Sequence, residues 1–257
     1  MAVDGSTLVI FDFDQSLINE DSDDFVFRSF HPELATTLEA RFEQKRVWPT
    51  VFDDMLQVIA REKPHVTTDM IWEKLEQIPM QPRMTEAIRM AVDQFGADFK
   101  VISDGNTFYI NGVLQHRELD QHSSGVFANP AEFEVLKDGR KWIRIRPYHT
   151  EDDEPLGCEW CPSNMCKGRI LESLRKGKQY ARVIYVGDGV GDFCPATRLT
   201  TNDVVCARAD KPDRTSYGLQ KRIDKNAELV KATVVPWNTG DDIYRVFTQF
   251  FNASPQN

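Results

Sequence analysis

Continuous apolar runs alternate along the chain with segments in which apolar residues recur at helical spacing. The first run, residues 8–11, contains no polar residue and is typical of a strand buried on both faces. Four later, largely apolar runs predict further strands, at residues 99–103, 182–186, 203–207 and 232–236. Helical patterns occur near residues 108–114, 166–176 and 241–251, and residues 133–148 alternate as a β-hairpin does. Strands that alternate with helices predict an α/β fold, a doubly wound parallel sheet with helices on both faces.

A helical block interrupts this alternation between the first two strands. Helices are predicted over residues 33–45, 51–61, 68–77 and 84–95, with boundaries at Pro49, Pro64, Pro79 and Pro82. Two apolar stripes support them, formed by Leu34, Leu38 and Phe42 and by Ile71, Leu75 and Ile78. We therefore expect a core domain formed by residues 1–22 and 98–257, with a helical domain inserted at residues 23–97.

Composition and charge narrow the class of protein. The 257 residues carry a formal net charge of -9, which argues against nucleic acid or an anionic membrane surface as a main partner. No stretch approaches the roughly 18 apolar residues of a membrane span, and residues 1–5 lack the basic start of a signal peptide. The five cysteines are an odd number, so we expect no disulfide framework. These features predict a cytoplasmic enzyme.

Two aspartates follow the first strand directly. Asp12 and Asp14 have the spacing that points two side chains of a strand the same way, while Phe13 faces the opposite layer. They stand at the carboxyl end of the strand, the edge at which open parallel sheets bind ligands. An aspartyl nucleophile with an adjacent proton donor would show this pattern. The alternative is an acidic pair that only solvates the end of the strand.

Further polar groups follow the second and third strands. Ser103, with Asp104 and Gly105 behind it, offers a hydroxyl and backbone N–H groups at a helix N-terminus, which can bind a phosphate. An ordinary helix cap is the alternative for this segment. Asp188 and Asp192 follow the third strand in a glycine-rich turn, and their carboxylates are hard oxygen ligands suited to Mg²⁺.

The order of these motifs resembles that of the haloacid dehalogenase superfamily of phosphatases. Asp-x-Asp follows the first strand, Ser103 the second and Gly-Asp-Gly-x-x-Asp the third, with Lys167 at the start of a helix in between. The superfamily resemblance implies that the helical block is a cap inserted after the first strand. Finer motifs resemble the phosphoethanolamine/phosphocholine phosphatase family, within residues 12–14, 22–24, 103–108, 158–167 and 186–195. Relatives of that family include pyridoxal phosphate and thiamine monophosphate phosphatases.

Two departures from the family pattern stand out. Gly191 replaces the asparagine that commonly precedes the last motif aspartate, and the acidic loop at residues 151–154 is longer. Neither departure removes a catalytic group, although a glycine at this position is expected to loosen the metal-binding loop.

The resemblance implies a Mg²⁺-dependent phosphomonoester hydrolase that works through an aspartyl-phosphate. Asp12 would attack phosphorus, and Asp14 would protonate the leaving group and then activate water. Lys167 would place a positive charge against the phosphoryl group and Asp12, and Ser103 would hydrogen-bond a phosphoryl oxygen. The metal ligands implied are the Asp12 carboxylate, the Asp14 backbone carbonyl, Asp188 and, nearby, Asp192.

Two further carboxylates are candidates for contact with the substrate. Asp23 and Asp104 match positions that contact the substrate in the family that the chain resembles, and a pair of carboxylates would favour a cationic head group such as ethanolamine or choline. The alternative is that each of them caps a helix. Phe25, Phe27 and Phe108 are candidate aromatic partners for a quaternary ammonium, although such residues are more often core. The expected partner is a small phosphorylated metabolite.

A second group of candidate metal ligands lies before the third strand. His149, Cys158, Cys161 and Cys166 have the types and number of ligands of a structural Zn²⁺ site. Their spacing is irregular for the common zinc modules, and redox-active or plainly buried thiols are the alternatives. If zinc binds, we expect it to act structurally beneath the helix that carries Lys167.

Other functions stay open at the level of sequence. Within the same class, the alternative is a pyridoxal phosphate or thiamine monophosphate phosphatase. A phosphotransferase or mutase of the same fold would return the phosphoryl group to substrate, and motifs alone do not separate it from a hydrolase. A catalytically idle binding or regulatory module is disfavoured because all six motif residues occur together, namely Asp12, Asp14, Ser103, Lys167, Asp188 and Asp192.

Overall fold

A computed structural model describes residues 6–36, 47–150, 153, 156–209 and 217–253. Most of the helix predicted over residues 33–45, with Leu38 and Phe42, lies outside these ranges, as does most of the acidic loop at 151–154. None of the helices within the ranges is long and apolar enough to cross a membrane.

Six parallel strands form the central sheet, which confirms the predicted α/β fold. They are β1 (Thr7–Phe11), β2 (Asp98–Asn106), β3 (Ser123–Asn129), β6 (Arg182–Gly187), β7 (Val204–Arg208) and β8 (Thr233–Trp237), in the order β3-β2-β1-β6-β7-β8. Every residue of β1 is buried, and the strand pairs with β2 on one side and β6 on the other. The strand order reverses beside β1, so the ends of β1 and β6 flank the crevice in which such sheets bind ligands.

A series of helices joins β1 to β2. They are α1 (Ser22–Phe30), α2 (Pro32–Ala35), α3 (Trp48–Glu62), α4 (Thr68–Leu75) and α5 (Met84–Arg89), and α5 continues into a wide turn over Met90–Gln94. Ile71, Leu75 and Ile78 have no exposed surface, which confirms their apolar stripe.

The remaining helices follow the later strands. They are α6 (Thr107–His116), α7 (Lys167–Gly177), α8 (Phe193–Ala196), α9 (Gly218–Lys225) and α10 (Gly240–Asn252). The start of α10 lies against the start of α5: a Cβ added at Gly240 would come 1.9 Å from the Pro82 carbonyl oxygen, and Arg83 stacks 3.5 Å from the Tyr244 ring. Helix α5 therefore packs against α10.

The predicted hairpin is present and is attached to the inserted helices. Strands β4 (Ala131–Val135) and β5 (Lys141–Ile145) pair antiparallel. Arg144 of β5 forms an ion pair with the buried Asp53 of α3 at 2.6 Å and another with Glu134 at 3.2 Å. The Ile145 backbone N–H also donates to Asp53. The same carboxylate thus fixes both the side chain and the backbone of the hairpin.

Three elements differ from the sequence expectation. Strand β3 and helix α9 were not expected. Strand β3 opens with Ser123, Ser124 and Gly125 instead of an apolar run. Strand β2 continues to Asn106, whose side chain caps α6 by accepting from the Tyr109 N–H at 3.0 Å. The helix therefore begins at Thr107, four residues after Ser103 and close to the start expected near residue 108.

Candidate active site

The turn after β1 presents the two aspartates. The Asp12 N–H still donates to the Val186 carbonyl of β6 at 2.8 Å, and the chain then leaves the sheet in a wide turn over Phe13–Leu17. Gln15 within this turn has a positive φ of 55°, and its carbonyl accepts a hydrogen bond from the buried Arg208. The left-handed residue and its buried cation fix the turn that carries Asp14.

Both carboxylate oxygens of Asp12 are fixed. The Phe13 N–H donates to Oδ1 at 2.7 Å, and Lys167 Nζ lies 2.8 Å from Oδ2. Burial and the nearby Asp192 raise the pKa of Asp12 well above its ordinary value, against the lowering effect of Lys167. A poorly solvated carboxylate of fixed orientation suits nucleophilic attack.

Asp192 organises the opposite side of the site. Lys167 Nζ and the Tyr185 hydroxyl both donate to its Oδ1, at 2.8 and 2.7 Å, and the backbone N–H groups of Asp188 and Gly189 donate to Oδ2. The side chain has no exposed surface. Asp192 therefore fixes Lys167 and the loop that carries Asp188. Sequence reasoning missed Tyr185, because an aromatic residue within a buried strand is expected to be core.

Three carboxylates are close enough to share one metal ion. One oxygen each from Asp12, Asp188 and Asp192 lie within 4.8 Å of one another. Burial and Asp192 raise the pKa of Asp188 to about 7, although a hydrogen bond from Ser16 acts to lower it. Lys167 and Arg208, which both lower the pKa of Asp188, carry less charge than the three carboxylates together, and a divalent cation with oxygen ligands would balance the excess. The residues present therefore fit Mg²⁺.

Asp14 lies beside Ser103 and Gly105 near the end of β2. Its Oδ1 accepts from the Ser22 N–H at the start of α1 at 2.7 Å, and burial and Asp21 raise its pKa to about 7. A Cβ added at Gly105 would come 3.2 Å from Asp14 Oδ2 and 3.3 Å from Ser103 Oγ. Because Gly105 has no side chain, the space between the Asp14 carboxylate and the Ser103 hydroxyl stays open. A carboxyl group that titrates near neutral pH can donate a proton in one step and accept a proton in another.

The expected phosphate cradle differs in detail from the structure. The Gly105 N–H donates to Ser103 Oγ at 3.0 Å instead of pointing to a ligand, and α6 starts beyond it. Ser103 is buried and lies at the expected edge of the sheet, where its own hydroxyl proton is available for donation. Ser103 therefore remains the candidate phosphate-binding group, and the Gly105 N–H, which donates to it, is not directed at a ligand.

Asp104 belongs to the group around Lys167. Its Oδ1 accepts from Asn164 at 3.2 Å, and its pKa is raised by burial and lowered by Lys167. A Cβ added at Gly191 would lie 3.6 Å from the other Asp104 oxygen, which is an ordinary contact. Asp104 does not cap α6, since Asn106 does.

Asp23 belongs to a different group, on the side of Asp14. It lies in the first turn of α1 and does not cap it, because the side chain of Asp21 accepts from the Asp24 N–H. Asp23 is 5% exposed, and its Oδ1 has no hydrogen-bond partner among the described residues. Burial, Asp14 and Asp21 raise its pKa well above the ordinary value. The two candidate head-group carboxylates therefore do not form one pair.

Aromatic and hydroxyl groups surround Asp23. The Trp48 side chain hydrogen-bonds it, and the Tyr109 hydroxyl is buried without a hydrogen-bond partner in the described ranges. Burial and Asp23 raise the pKa of Tyr109. Of the predicted aromatic candidates, Phe27 has no exposed surface and packs on Phe52 as core. Trp48 and Tyr109 were not predicted, since nothing in the sequence places them near Asp23.

The cysteine group differs by one member from the predicted zinc ligands. The sulfur atoms of Cys158, Cys161, Cys166 and Cys194 lie within 4.8 Å of one another. His149 is outside this group, and its Nδ1 faces Asp153 at 3.7 Å. The fourth member of the group is therefore Cys194, which follows the Asp192 loop, and not His149.

The fold and the order of its acidic loops define the class of this protein as a phosphatase of the haloacid dehalogenase superfamily. The family described as "Putative Phosphatase" matches residues 7–251. The chain belongs to that family.

Three curated relatives are named as a phosphatase-like protein, a pyrophosphatase and a phosphatase. The chain is 34% identical over 253 residues to a thiamine phosphate phosphatase-like protein of Arabidopsis thaliana, covering 96% of each. It is 31% identical to inorganic pyrophosphatase 2 of the same plant, covering 98% of this chain and 86% of that one. It is also 31% identical to a pyridoxal phosphate phosphatase of Bos taurus, and the match covers 92% of this chain and 95% of that one. The chain is therefore an enzyme that acts on phosphorylated substrates.

Among solved structures, a phosphoserine phosphohydrolase-like protein from Francisella tularensis has the same fold. The TM-score is 0.58 at 16% identity, and the match covers 93% of this chain and 99% of that one.

Proposed function

We propose that this phosphatase hydrolyses small phosphomonoesters through an aspartyl-phosphate on Asp12, and that its preferred substrates carry a cationic head group such as ethanolamine or choline. The observation that carries the head-group proposal is the buried carboxylate of Asp23. One of its oxygens has no hydrogen-bond partner within the described ranges, and it lies near the proposed acid–base residue Asp14. A buried carboxylate is costly unless a partner neutralises it.

The chemistry assigned to the site has two halves. In the first, an oxygen of Asp12 forms a bond to phosphorus while the bond between phosphorus and the leaving-group oxygen breaks. Asp14 protonates the leaving-group oxygen. In the second, Asp14 takes a proton from a water molecule that attacks phosphorus, which releases phosphate and restores the Asp12 carboxylate. Lys167, 2.8 Å from Asp12, reduces the repulsion between the carboxylate and the phosphate.

Mg²⁺ is the cofactor proposed for this site. Asp12 and Asp188, with the Asp14 backbone carbonyl, would hold it, and the bound ion would neutralise charge on the phosphoryl group. Asp192 acts mainly by holding Lys167 and the Asp188 loop, because each of its oxygens already accepts two hydrogen bonds.

The surroundings of Asp23 fit an ammonium group. An ammonium offers several donors, and the Asp23 oxygen and the Tyr109 hydroxyl are both buried acceptors in the same neighbourhood. The Trp48 ring beside Asp23 adds an aromatic surface of the kind that binds quaternary ammonium. Asp104 contributes to the phosphoryl side of this proposal, since it lies with Lys167.

Pyridoxal phosphate or thiamine monophosphate is the alternative substrate. It is favoured by the names of two relatives, a thiamine phosphate phosphatase-like protein and a pyridoxal phosphate phosphatase. The thiazolium ring of thiamine is also a cation, so Asp23 by itself does not separate thiamine from the amines.

A substrate panel with two variants tests the proposal. Phosphate release is measured for phosphoethanolamine, phosphocholine, pyridoxal phosphate, thiamine monophosphate, phosphoserine and pyrophosphate. Asp23→Asn should raise KM for the cationic substrates by about tenfold or more, which corresponds to about 1.4 kcal/mol. Asp24→Asn is the matched control, because Asp24 is paired with Arg28 at 2.6 Å in the same helical turn. Equal losses on all substrates, or a wild-type preference for pyridoxal phosphate over both amines, would reject the head-group proposal.

A further inference from the structure

Four cysteines from two separate parts of the chain converge behind the active site. Cys158 and Cys161 lie in the loop before α7, Cys166 immediately precedes α7, and Cys194 lies in α8. Cys158 Sγ is 3.5 Å and Cys166 Sγ 3.7 Å from Cys194 Sγ. All four sulfur atoms fall within 4.8 Å of one another. Convergence of the loop and the helix on Cys194 makes this a tertiary arrangement, not a local turn.

The spacing of the sulfur atoms matches a single tetrahedral metal ion. Four thiolates at about 2.3 Å from Zn²⁺ are separated from one another by about 3.8 Å. Two contacts in the cluster, at 3.5 and 3.7 Å, are close to this value, and the other sulfur pairs lie within 4.8 Å. A disulfide would bring two sulfurs to about 2.05 Å, and all four cysteines are free thiols. The distances therefore favour a bound ion over a cross-link.

The surrounding residues make room for the cluster. A Cβ added at Gly168, in the first turn of α7, would come 2.5 Å from Cys194 Sγ, so only glycine lets the helix approach the sulfur this closely. Cys166 and Cys194 are buried, whereas Cys158 and Cys161 are partly exposed. Cys158 and Cys161 line a cavity of about 920 Å³, which gives an ion a path to the site.

We propose that Cys158, Cys161, Cys166 and Cys194 bind one structural Zn²⁺ ion. Four sulfur ligands of this geometry select zinc over hard cations such as Mg²⁺. A site with four protein ligands leaves no position open for water or substrate, so the ion stabilises the fold and takes no part in catalysis. The proposal concerns this cluster alone and does not depend on the substrate of the enzyme.

The position of the ion explains what it would stabilise. Cys166 directly precedes Lys167, and Cys194 follows Asp192 by two residues. Lys167 and Asp192 form the buried ion pair at 2.8 Å. One ion bound to Cys166 and Cys194 would therefore join the two segments that carry this pair, and it would also hold the loop with Cys158 and Cys161, which has no helix or strand over residues 156–166.

Metal content of the full chain is the direct test. The protein is purified without added metal or chelator and analysed by elemental analysis and native mass spectrometry, which should give about one zinc ion per chain. Exchange for Co²⁺ should produce the absorption bands of tetrahedral thiolate coordination. Both readouts use the unmodified chain, so they do not depend on how a variant folds. A metal-free protein, iron in place of zinc, or a disulfide detected by intact mass would overturn the proposal.

Two variants assign the ligands. Cys161→Ser should lose the zinc and lower the melting temperature, because a structural ion contributes to folding. Cys206→Ala is the matched control, since Cys206 is buried in β7, outside the cluster; it should keep the zinc. Retention of zinc by a folded Cys161→Ser protein, or its loss from Cys206→Ala, would contradict the assignment.

Discussion

Lys167 Nζ lies 2.8 Å from Asp12 Oδ2, and the side chains of the two residues are only 4% and 11% exposed. The same ammonium lies 2.8 Å from Asp192. One buried cation thus bridges the proposed nucleophile and the residue that organises the acidic loop. Loss of Lys167 would leave two buried carboxylates without their shared partner, and this sets the first prediction.

Lys167→Met should impair both catalysis and stability. We expect kcat to fall by about 10²- to 10³-fold, as for the loss of one charge-stabilising donor. The free energy of unfolding should fall by about 3 kcal/mol, because removing one partner of a buried ion pair leaves the other uncompensated.

Lys178→Met is the matched control for this change. Lys178 pairs with Asp98 at 2.8 Å but is half exposed, so its loss should cost less than about 1 kcal/mol. Denaturant unfolding and steady-state kinetics check both variants. Equal effects from the two substitutions would show that the Lys167 pair has no special role.

Tyr185→Phe tests the contact that sequence reasoning missed. The variant removes the hydroxyl donor to Asp192 Oδ1 at 2.7 Å, and a hydrogen bond to a charged acceptor is worth about 1.5–3 kcal/mol. Denaturant unfolding should show this loss. Tyr180→Phe is the control, because the Tyr180 hydroxyl also donates to a carboxylate, Asp98, but at a partly exposed site. A Tyr185→Phe protein no less stable than Tyr180→Phe would argue against the proposed role of Asp192.

Asp14→Asn should slow hydrolysis most for substrates whose leaving group must be protonated. An amide cannot protonate the leaving alkoxide, so kcat on an alkyl phosphate should fall by about 10²- to 10⁴-fold. An aryl phosphate such as p-nitrophenyl phosphate needs no acid for its first step and should show a smaller loss there. Burst kinetics, which follow release of the leaving group, measure that step. A full rate on alkyl phosphates, or identical losses on both substrates, would remove Asp14 from the acid–base role.

Removal of divalent metal should abolish activity, and Mg²⁺ should restore it. Ca²⁺ should substitute poorly, because it takes more ligands at longer distances than Mg²⁺ does. The melting temperature is followed in parallel, so that loss of an ion from the cysteine cluster is not mistaken for loss of catalytic metal. Undiminished hydrolysis in metal-free buffer would rule out the Mg²⁺ assignment.

The strands and the groups at their ends could be predicted because their chemistry is local. An apolar run that stops at Asp12 and another that stops near Asp188 indicate buried strands with functional ends. Strand β3 escaped prediction because it begins Ser-Ser-Gly and is only partly buried. Its place in the sheet comes from pairing with β2, which a single sequence does not show.

The contacts that complete the site could not be predicted because they join distant parts of the chain. Cys194 lies 28 residues after Cys166 and 36 after Cys158, so no motif spacing connects it to the other thiols. Asp23 and Asp104 share a charge and a resemblance to substrate-contacting positions, yet one lies near Asp14 and the other near Lys167. Asp23 lies on α1 and Asp104 at the end of β2, and only the tertiary fold shows that Lys167 lies near Asp104.

The formation of a phosphoryl bond on Asp12 is the central claim, and acid-quench labelling tests it most directly. The enzyme is mixed with a ³²P-labelled substrate, quenched in acid and digested, and the labelled residue is located by mass spectrometry. Label should appear on Asp12 and should be absent from a folded Asp12→Asn protein, which should also have lost turnover. Label on another residue, or label and turnover retained by Asp12→Asn, would contradict the account.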